Sequence, residues 1–342
     1  MCGESLIRRT LLGRFRPGTV AEAHSIAQND SMRSAVTVAC VQAEPVILDR
    51  DATIEKLARL ASEAARNGAE LLVFPEAFIP AYPSSVWARA LAGWAEPGAK
   101  EAFAMLARES LEVPGEAVDR LGEIARGNEV WLVTGVTERD PNRPGTLYNT
   151  LLYHAPDGSL ALKHRKLVPT NHERLVWGQG DGEGLRAIQT DLGRLGGLIC
   201  WENYMPLARF ALYESGVEIY VASTADDGDS WHSTLIHIAR EARAFVISPS
   251  HFQRAASYPD DFPLKKLLDG VDVIGRGGSA ILAPDGSYLA GPLYDEEGIL
   301  YAELDPARLD EERQRFDPAG HYHRPDVLGL RVSSGAGEAT TS

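Results

Sequence analysis

The sequence contains a cysteine in a setting typical of a nucleophile. Residues 195–206 read Leu-Gly-Gly-Leu-Ile-Cys-Trp-Glu-Asn-Tyr-Met-Pro, so a short apolar run ends on Cys200 and a helical pattern begins within a few residues. A cysteine on a sharp strand-to-helix turn holds its sulfur out of the sheet, where a substrate can reach it. A free cysteine is also often buried as a small hydrophobe. Catalysis by Cys200 therefore requires that the chain also supply a base, an activating charge and an oxyanion donor.

Two charged side chains could supply the base and the activating charge. Glu76 follows the apolar run 71–74, and Lys166 ends a predicted hairpin strand just before apolar residues. Side chains that follow strands can converge at the carboxyl ends of a sheet, so we expect Glu76, Lys166 and Cys200 to meet at one rim of one sheet. There the ammonium would lower the pKa of the thiol and the carboxylate would accept its proton. Taken alone, Glu76 could be a solvated loop residue and Lys166 part of a solvated basic edge.

Strand and helix patterns alternate along residues 35–305, as in an α/β protein. A buried strand (35–41) and an amphipathic helix (52–67) begin the series, whereas strands over 129–136 and 147–154 read as a hairpin. Antiparallel strands therefore join strand-helix units, which predicts a mixed sheet. The predicted organisation is an N-terminal arm (1–34), a single domain (35–305), a C-terminal extension (306–330) and a disordered tail (331–342).

The composition excludes several classes of protein. Of the 342 residues, 44% are hydrophobic and 24% are charged, which is typical of a soluble globular protein and not of a membrane or fibrous one. The formal net charge of -14 disfavours nonspecific attraction to nucleic acid or anionic lipid. The three cysteines are too few for a disulfide framework, and their spacing suits no zinc motif. The first 34 residues contain no apolar stretch long enough for a signal peptide, so we expect a cytoplasmic protein, although an Arg-rich start also occurs in transit peptides.

Three motifs, in this order and at these intervals, resemble the nitrilase superfamily. The residues after the cysteine favour the true nitrilase branch, because amidases and carbamoylases commonly have a Tyr-Asp type of sequence there. The resemblance covers roughly residues 35–328, and three ordered motifs are far more specific than any one of them. The chain departs from the family mainly in its long N-terminal arm. The motifs are Phe74-Pro75-Glu76, Arg165-Lys166-Leu167-Val168-Pro169-Thr170 and Gly197-Leu198-Ile199-Cys200-Trp201-Glu202-Asn203.

The resemblance implies an α-β-β-α sandwich and a hydrolase without metal or cofactor, whose dimers often stack into spirals. It makes Cys200 the nucleophile, Glu76 the general base and Lys166 the stabiliser of the tetrahedral intermediate. Glu173 would be a second carboxylate that orients Lys166, although it could be only a salt-bridge partner. The implied reaction converts a nitrile to an acid and ammonia through a thioimidate and a thioester, with the Trp201 N–H donating to the developing negative charge. The implied partners are a small-molecule nitrile and further copies of the chain, without nucleic acid or membrane.

Four aromatic residues near the catalytic positions match places that line the substrate cavity in this family. They are Tyr82, Trp177, Trp201 and Tyr204. Each could instead be ordinary aromatic core, but as cavity walls they favour an aromatic or arylaliphatic nitrile over a very small one.

Other activities are compatible with the same motifs. The three catalytic residues could hydrolyse an amide or carbamoyl substrate, or the enzyme could stop at the amide, as cyanide hydratases do. From a different class, the chain could be an inactive filament-forming scaffold, against which the intact catalytic residues argue.

Overall fold

The computed structural model describes residues 35–333. The predicted N-terminal arm and positions 334–342 of the predicted tail lie outside the described residues. No helix within residues 35–333 is long and apolar enough to cross a membrane. The strands are β1 (Val36–Gln42), β2 (Leu71–Val73), β3 (Leu111–Glu112), β4 (Trp131–Arg139), β5 (Leu147–His154), β6 (Leu160–Arg165), β7 (Ile188–Gln189), β8 (Arg194–Gly197), β9 (Ile219–Val221), β10 (Phe245–Ser248), β11 (Phe252–Arg254), β12 (Val273–Leu282), β13 (Tyr288–Tyr294) and β14 (Gly298–Leu304). The α-helices are α1 (Arg50–Arg66), α2 (Ser85–Ala88), α3 (Ala99–Glu109), α4 (Glu116–Asn128), α5 (Pro206–Glu214), α6 (Asp229–Ala242) and α7 (Ala307–Arg313).

The strands form two mixed sheets. In the first sheet β1, β2 and β4 are parallel, β14 pairs antiparallel with β1, and β5 and β6 continue antiparallel from β4. In the second sheet β8, β9 and β10 are parallel, and β12 pairs antiparallel with β10. Parallel neighbours need crossover connections, which are made by α1 and by α2 to α4 in the first sheet, and by α5 and α6 in the second.

The two sheets pack face to face, and helices cover their outer faces. Because successive side chains of a strand point to opposite sides, Val38 and Cys40 of β1 lie in the apolar cluster between the sheets, whereas Ala39 and Val41 lie in the cluster under α1 and α4. A corresponding cluster joins the outer face of the second sheet to α5 and α6. This order of layers is the α-β-β-α sandwich, so the predicted fold is confirmed.

The first helix shows how the local sequence sets an element. The side chain of Asp49 accepts a hydrogen bond from the Ala52 N–H at 2.9 Å and so caps the first turn. The buried residues Ile54, Leu57 and Ala61 then recur at helical spacing and face the first sheet. The helix therefore begins at Arg50, directly after its cap and two residues before the predicted start at residue 52.

Residues 79–98 are rich in proline and aromatic residues, which predicts a loop, but they contain α2 and a 3₁₀ turn. Its Trp87 is fully buried and donates a hydrogen bond to the Tyr258 hydroxyl at 2.8 Å, while Trp94 is fully exposed. The sequence does not predict α2, because apolar residues at helical spacing identify a helix only over several turns and α2 has four residues.

Candidate active site

The structure brings Glu76, Lys166 and Cys200 together, but across two sheets. Glu76 follows β2 and Lys166 follows β6, both in the first sheet, whereas Cys200 lies just beyond β8 of the second. A carboxylate oxygen of Glu76 lies within 4.8 Å of Cys200 Sγ. The expectation that all three meet at one rim of one sheet is therefore wrong, because apolar periodicity identifies a buried strand without showing which sheet it joins. The site lies between the sheets, and all three side chains are buried.

Lys166 forms a buried bridge between two carboxylates. Its Nζ lies 2.8 Å from Glu76 Oε1 and 2.7 Å from Glu173 Oε2. Burial alone would lower the pKa of Lys166, but the neighbouring negative charges outweigh burial and raise it, so the side chain remains an ammonium. Glu173 is held in turn by the Thr170 N–H at 2.7 Å and the Tyr82 hydroxyl at 2.8 Å. Glu173 is thus in direct contact with Lys166 and is itself held by two further donors.

Glu76 has two further partners that the sequence did not indicate. Asn149 Nδ2 donates a hydrogen bond to Glu76 Oε1 at 2.7 Å, and His251 Nε2 donates to the backbone carbonyl of Glu76. Burial lowers the pKa of His251 to about 4, so its ring is neutral and the proton lies on Nε2. For Glu76 itself, burial raises the pKa, Lys166 lowers it and Glu173 raises it, and the net effect is upward. The carboxylate of Glu76 is therefore a stronger base than an ordinary glutamate.

A glycine in β4 leaves room for the peptide that carries Glu76. A Cβ at Gly135 would lie 2.8 Å from Glu76 Cα and 2.7 Å from the Ala77 nitrogen. Real Cβ atoms essentially never approach other atoms so closely, and a backbone cannot move aside as a flexible side chain can. Any larger residue at position 135 would therefore displace the candidate base.

Cys200 lies on the turn that the sequence predicts. Its φ of 51° is in the left-handed region, and it begins the 3₁₀ segment Cys200–Tyr204. Its N–H donates to the Ser223 carbonyl at 2.8 Å, and Thr224 Oγ1 lies 3.2 Å from its sulfur. Burial and the charge of Glu76 raise the pKa of the thiol more than Lys166 lowers it. The expected lowering of the thiol pKa by the Lys166 ammonium is thus outweighed. Cys200 is a neutral thiol in the free protein, and a base must remove its proton before it can attack a substrate.

The four predicted pocket aromatics fall into two pairs. Tyr82 packs against Trp177 with ring centroids 5.7 Å apart, and Trp177 is buried in an apolar cluster. Trp201 and Tyr204 instead are 51% and 44% exposed and meet edge to face at 5.5 Å. The first pair lies against Glu173, because the Tyr82 hydroxyl donates a hydrogen bond to its carboxylate. The second pair lies at the surface, with Trp201 next to Cys200 in the sequence.

The same side chains include potential metal ligands. Among the described residues, one group of such ligands is close enough, formed by Glu76, Glu173 and Cys200 with ligand atoms within 4.8 Å of one another. The ammonium of Lys166 contacts both carboxylates and already supplies a cation there. A divalent ion in the same place would face that positive charge, so the arrangement suits a proton-transfer site better than a metal site.

Comparisons of the sequence and of the structure with known proteins all find carbon-nitrogen hydrolases or nitrilases. Residues 37–314 match the sequence model of a family described as carbon-nitrogen hydrolase. A protein named aliphatic nitrilase from Sinorhizobium fredii (strain HH103) is 46% identical over 295 residues, which is 86% of this chain and 94% of the relative. A protein from Nicotiana tabacum named bifunctional nitrilase/nitrile hydratase NIT4B is 42% identical over 310 residues, 89% of this chain and 88% of the relative. The crystal structure of a carbon-nitrogen hydrolase from Helicobacter pylori G27 has the same fold, with a TM-score of 0.69 over 86% of this chain and 97% of that one at 22% identity.

Proposed function

This chain belongs to the carbon-nitrogen hydrolase family, and on that premise we propose that it hydrolyses an organic nitrile to the carboxylic acid and ammonia. The observation that carries the proposal is the contact of one ammonium with two carboxylates, Lys166 with Glu76 and Glu173, within reach of the Cys200 thiol. The names of the relatives, which are nitrilases at 42 to 46% identity, support a nitrile as the substrate.

The first chemical step is the addition of Cys200 to the nitrile carbon. Glu76 takes the thiol proton, and the sulfur forms a bond to carbon while one π bond of the nitrile breaks toward nitrogen. The Lys166 ammonium and the Trp201 N–H donate to that nitrogen as negative charge develops on it, and Glu76 returns the proton to give a neutral thioimidate. The raised pKa of Glu76 suits this exchange, because a carboxylate with a low pKa is a weak base and would not hold the proton that it must return.

Two water molecules complete the reaction. The first, deprotonated by Glu76, adds to the thioimidate carbon, and loss of ammonia from the resulting tetrahedral intermediate leaves a thioester. The second water attacks the thioester carbon, and the carbon–sulfur bond breaks to release the acid and restore the thiol. The sum is one nitrile and two waters converted to one acid and one ammonia.

A second product is favoured by a specific observation. If the tetrahedral intermediate loses the thiol instead of ammonia, the product is an amide formed with a single water. One relative is named a bifunctional nitrilase/nitrile hydratase, so we propose that amide is a side product of the same site. Amide or carbamoyl substrates are the remaining alternative for this arrangement of residues.

A substrate panel tests the proposed function. Purified full-length protein is incubated with aliphatic, aromatic and arylacetonitriles, and with the corresponding amides and an N-carbamoyl amino acid. Acid, amide and ammonia are quantified separately. We expect acid and ammonia in equal amounts from at least one nitrile class. Turnover of amides or carbamoyl compounds without turnover of any nitrile would contradict the proposal.

The pH dependence of kcat/KM is expected to reflect the raised pKa of Glu76. Because the carboxylate is the base, activity is present above this pKa and is lost as the pH falls through it, at a pH above the ordinary glutamate range. Glu173→Gln removes a charge that raises the pKa of Glu76, so the acid midpoint should move to lower pH even though the rate also falls. Glu123→Gln, on the exposed face of α4, is the control. An acid midpoint that stays in place in Glu173→Gln would contradict this account of Glu76.

We propose a homodimer that forms larger oligomers in the cytoplasm, with the C-terminal extension 306–330 as a contact. Support comes from three large apolar side chains of that extension, Tyr322, Val327 and Leu328, which are at least 65% exposed. The three lie within seven residues of one another along the chain, and exposed apolar patches are typical of protein contacts.

A further inference from the structure

A further buried carboxylate, that of Glu202, joins the two strand ends that carry Lys166 and Cys200. Glu202 Oε1 accepts a hydrogen bond from the Leu167 N–H at 2.8 Å, and Glu202 Oε2 accepts one from the Ile199 N–H at 2.9 Å. Leu167 is the residue after Lys166, and Ile199 is the residue before Cys200. One side chain therefore holds the backbone on both sides of the site.

This connection matters because Lys166 and Cys200 belong to different sheets. The sheets pack through an apolar cluster, and apolar contact is non-directional, so packing alone does not fix the separation of two particular atoms. Hydrogen bonds are directional and confine their partners to a few tenths of an ångström. The two bonds to Glu202 thus fix the Lys166 strand end relative to the Cys200 strand end.

The carboxylate is itself held in place and charged. His164 Nε2 lies 2.9 Å from Glu202 Oε2, and both side chains are fully buried. Burial would raise the pKa of Glu202, but attraction to His164 and the backbone N–H donors outweigh burial and lower it. An ionised carboxylate has only acceptor oxygens, so it satisfies all three donors at once.

We propose that Glu202 is a positioning residue that sets the geometry of Lys166 relative to Cys200 and thereby the choice between acid and amide. Loss of ammonia requires the nitrogen of the tetrahedral intermediate to be held and protonated by the Lys166 and Glu76 group while the sulfur stays bonded. If Lys166 moves away from that nitrogen, the carbon–sulfur bond breaks more readily and amide is released. The proposal rests on the proposed nitrile hydrolysis and concerns the same site.

Glu202→Gln tests the proposal with little change in shape. A glutamine has one acceptor oxygen, and two of the three donors, Ile199 N–H and His164, share the same side of Glu202. The remaining side-chain oxygen of the variant should therefore stay on that side, which turns the amide NH₂ toward the Leu167 N–H and breaks the connection to Lys166. A misplacement of about 1 Å can lower a rate by ~100-fold. We expect a fall in kcat of that order, a smaller change in KM and an increased ratio of amide to acid.

Glu44→Gln is the matched control. Glu44 is also buried and also accepts a backbone N–H from the second sheet, that of Arg254 at 2.6 Å, but it contacts neither Lys166 nor Cys200. We expect it to lower the melting temperature without changing the ratio of amide to acid. Misfolded molecules form neither product, so this ratio does not depend on the fraction of folded protein.

The outcomes separate the positioning role from the proposed function. With wild-type nitrile turnover, a raised amide fraction in Glu202→Gln alone supports the role of Glu202, and an unchanged fraction overturns it. Without wild-type turnover the proposed function fails, and the rate of Cys200 alkylation by iodoacetamide at one pH decides instead, measured in Glu202→Asp, which keeps the charge but is too short to bind both Leu167 and Ile199. A rate in Glu202→Asp that differs from that in Glu44→Asp supports positioning, and equal rates overturn it.

Discussion

Replacing Cys200 with alanine is expected to abolish nitrile turnover, with a fall in kcat on the order of 10⁴-fold or more. Without the sulfur neither the thioimidate nor the thioester can form, and water would have to add directly to an unactivated nitrile. The fold should persist, because the change removes one atom and leaves only Thr224 Oγ1 without its contact to the sulfur. Ammonia release under saturating nitrile measures the effect, and circular dichroism checks the fold.

Cys40→Ala is the matched control for this prediction. Cys40 is the other described cysteine, and it is fully buried in the apolar cluster between the sheets. Its replacement should lower stability by about 1 kcal/mol or more through the small cavity it leaves, while each folded molecule keeps its activity. Normal ammonia release by Cys200→Ala would remove Cys200 from the reaction altogether.

Removing the ammonium of Lys166 is expected to have the second largest effect, a fall in kcat of about 10³-fold in Lys166→Met. Methionine has a similar length but no donor for the developing charge on nitrogen. The structure also predicts that removing this side chain lowers the stability of the fold. Lys166 bridges two buried carboxylates, and breaking a buried pair by removing one partner typically costs about 3 to 5 kcal/mol.

A double variant separates stability from catalysis at this position. Lys166→Met combined with Glu173→Gln removes one positive and one negative charge, so the remaining carboxylate, Glu76, no longer faces a second one. We expect the melting temperature to recover relative to Lys166→Met while turnover stays low. If the double variant regained most of the wild-type kcat, the loss of activity in Lys166→Met would result from the two unpaired carboxylates. Lys166 would then not be the hydrogen-bond donor to the substrate nitrogen.

Much of the site follows from short-range sequence patterns. Glu76 follows an apolar run, Lys166 ends a predicted strand just before apolar residues, and the Cys200 turn lies between an apolar run and a proline that suits the first turn of a helix. These features depend on residues within a few positions of each other. The ordered motifs then identify the family, which supplies the sandwich fold.

The contacts that hold the site could not be predicted in the same way. Glu76 is contacted by Asn149 and His251, which are distant from it in the sequence. Cys200 is contacted by Thr224, which follows the next strand of its sheet. These contacts depend on how the strands pair and how the sheets stack. Glu202 belongs to a motif, yet its contacts with backbone N–H groups of both sheets depend on how the sheets pack. Local periodicity carries no information about such pairings.

The covalent intermediate on Cys200 provides the most direct test of the proposed reaction. The wild-type enzyme is mixed with a nitrile that it turns over, quenched in acid within milliseconds to seconds, and measured by intact mass spectrometry with peptide mapping. The mechanism predicts an adduct on the Cys200 peptide and no adduct in Cys200→Ala. The thioimidate adds the mass of the whole nitrile, and the thioester adds the mass of the acyl group less one hydrogen. Turnover that proceeds with no adduct at any quench time, or with an adduct on another residue, would contradict it.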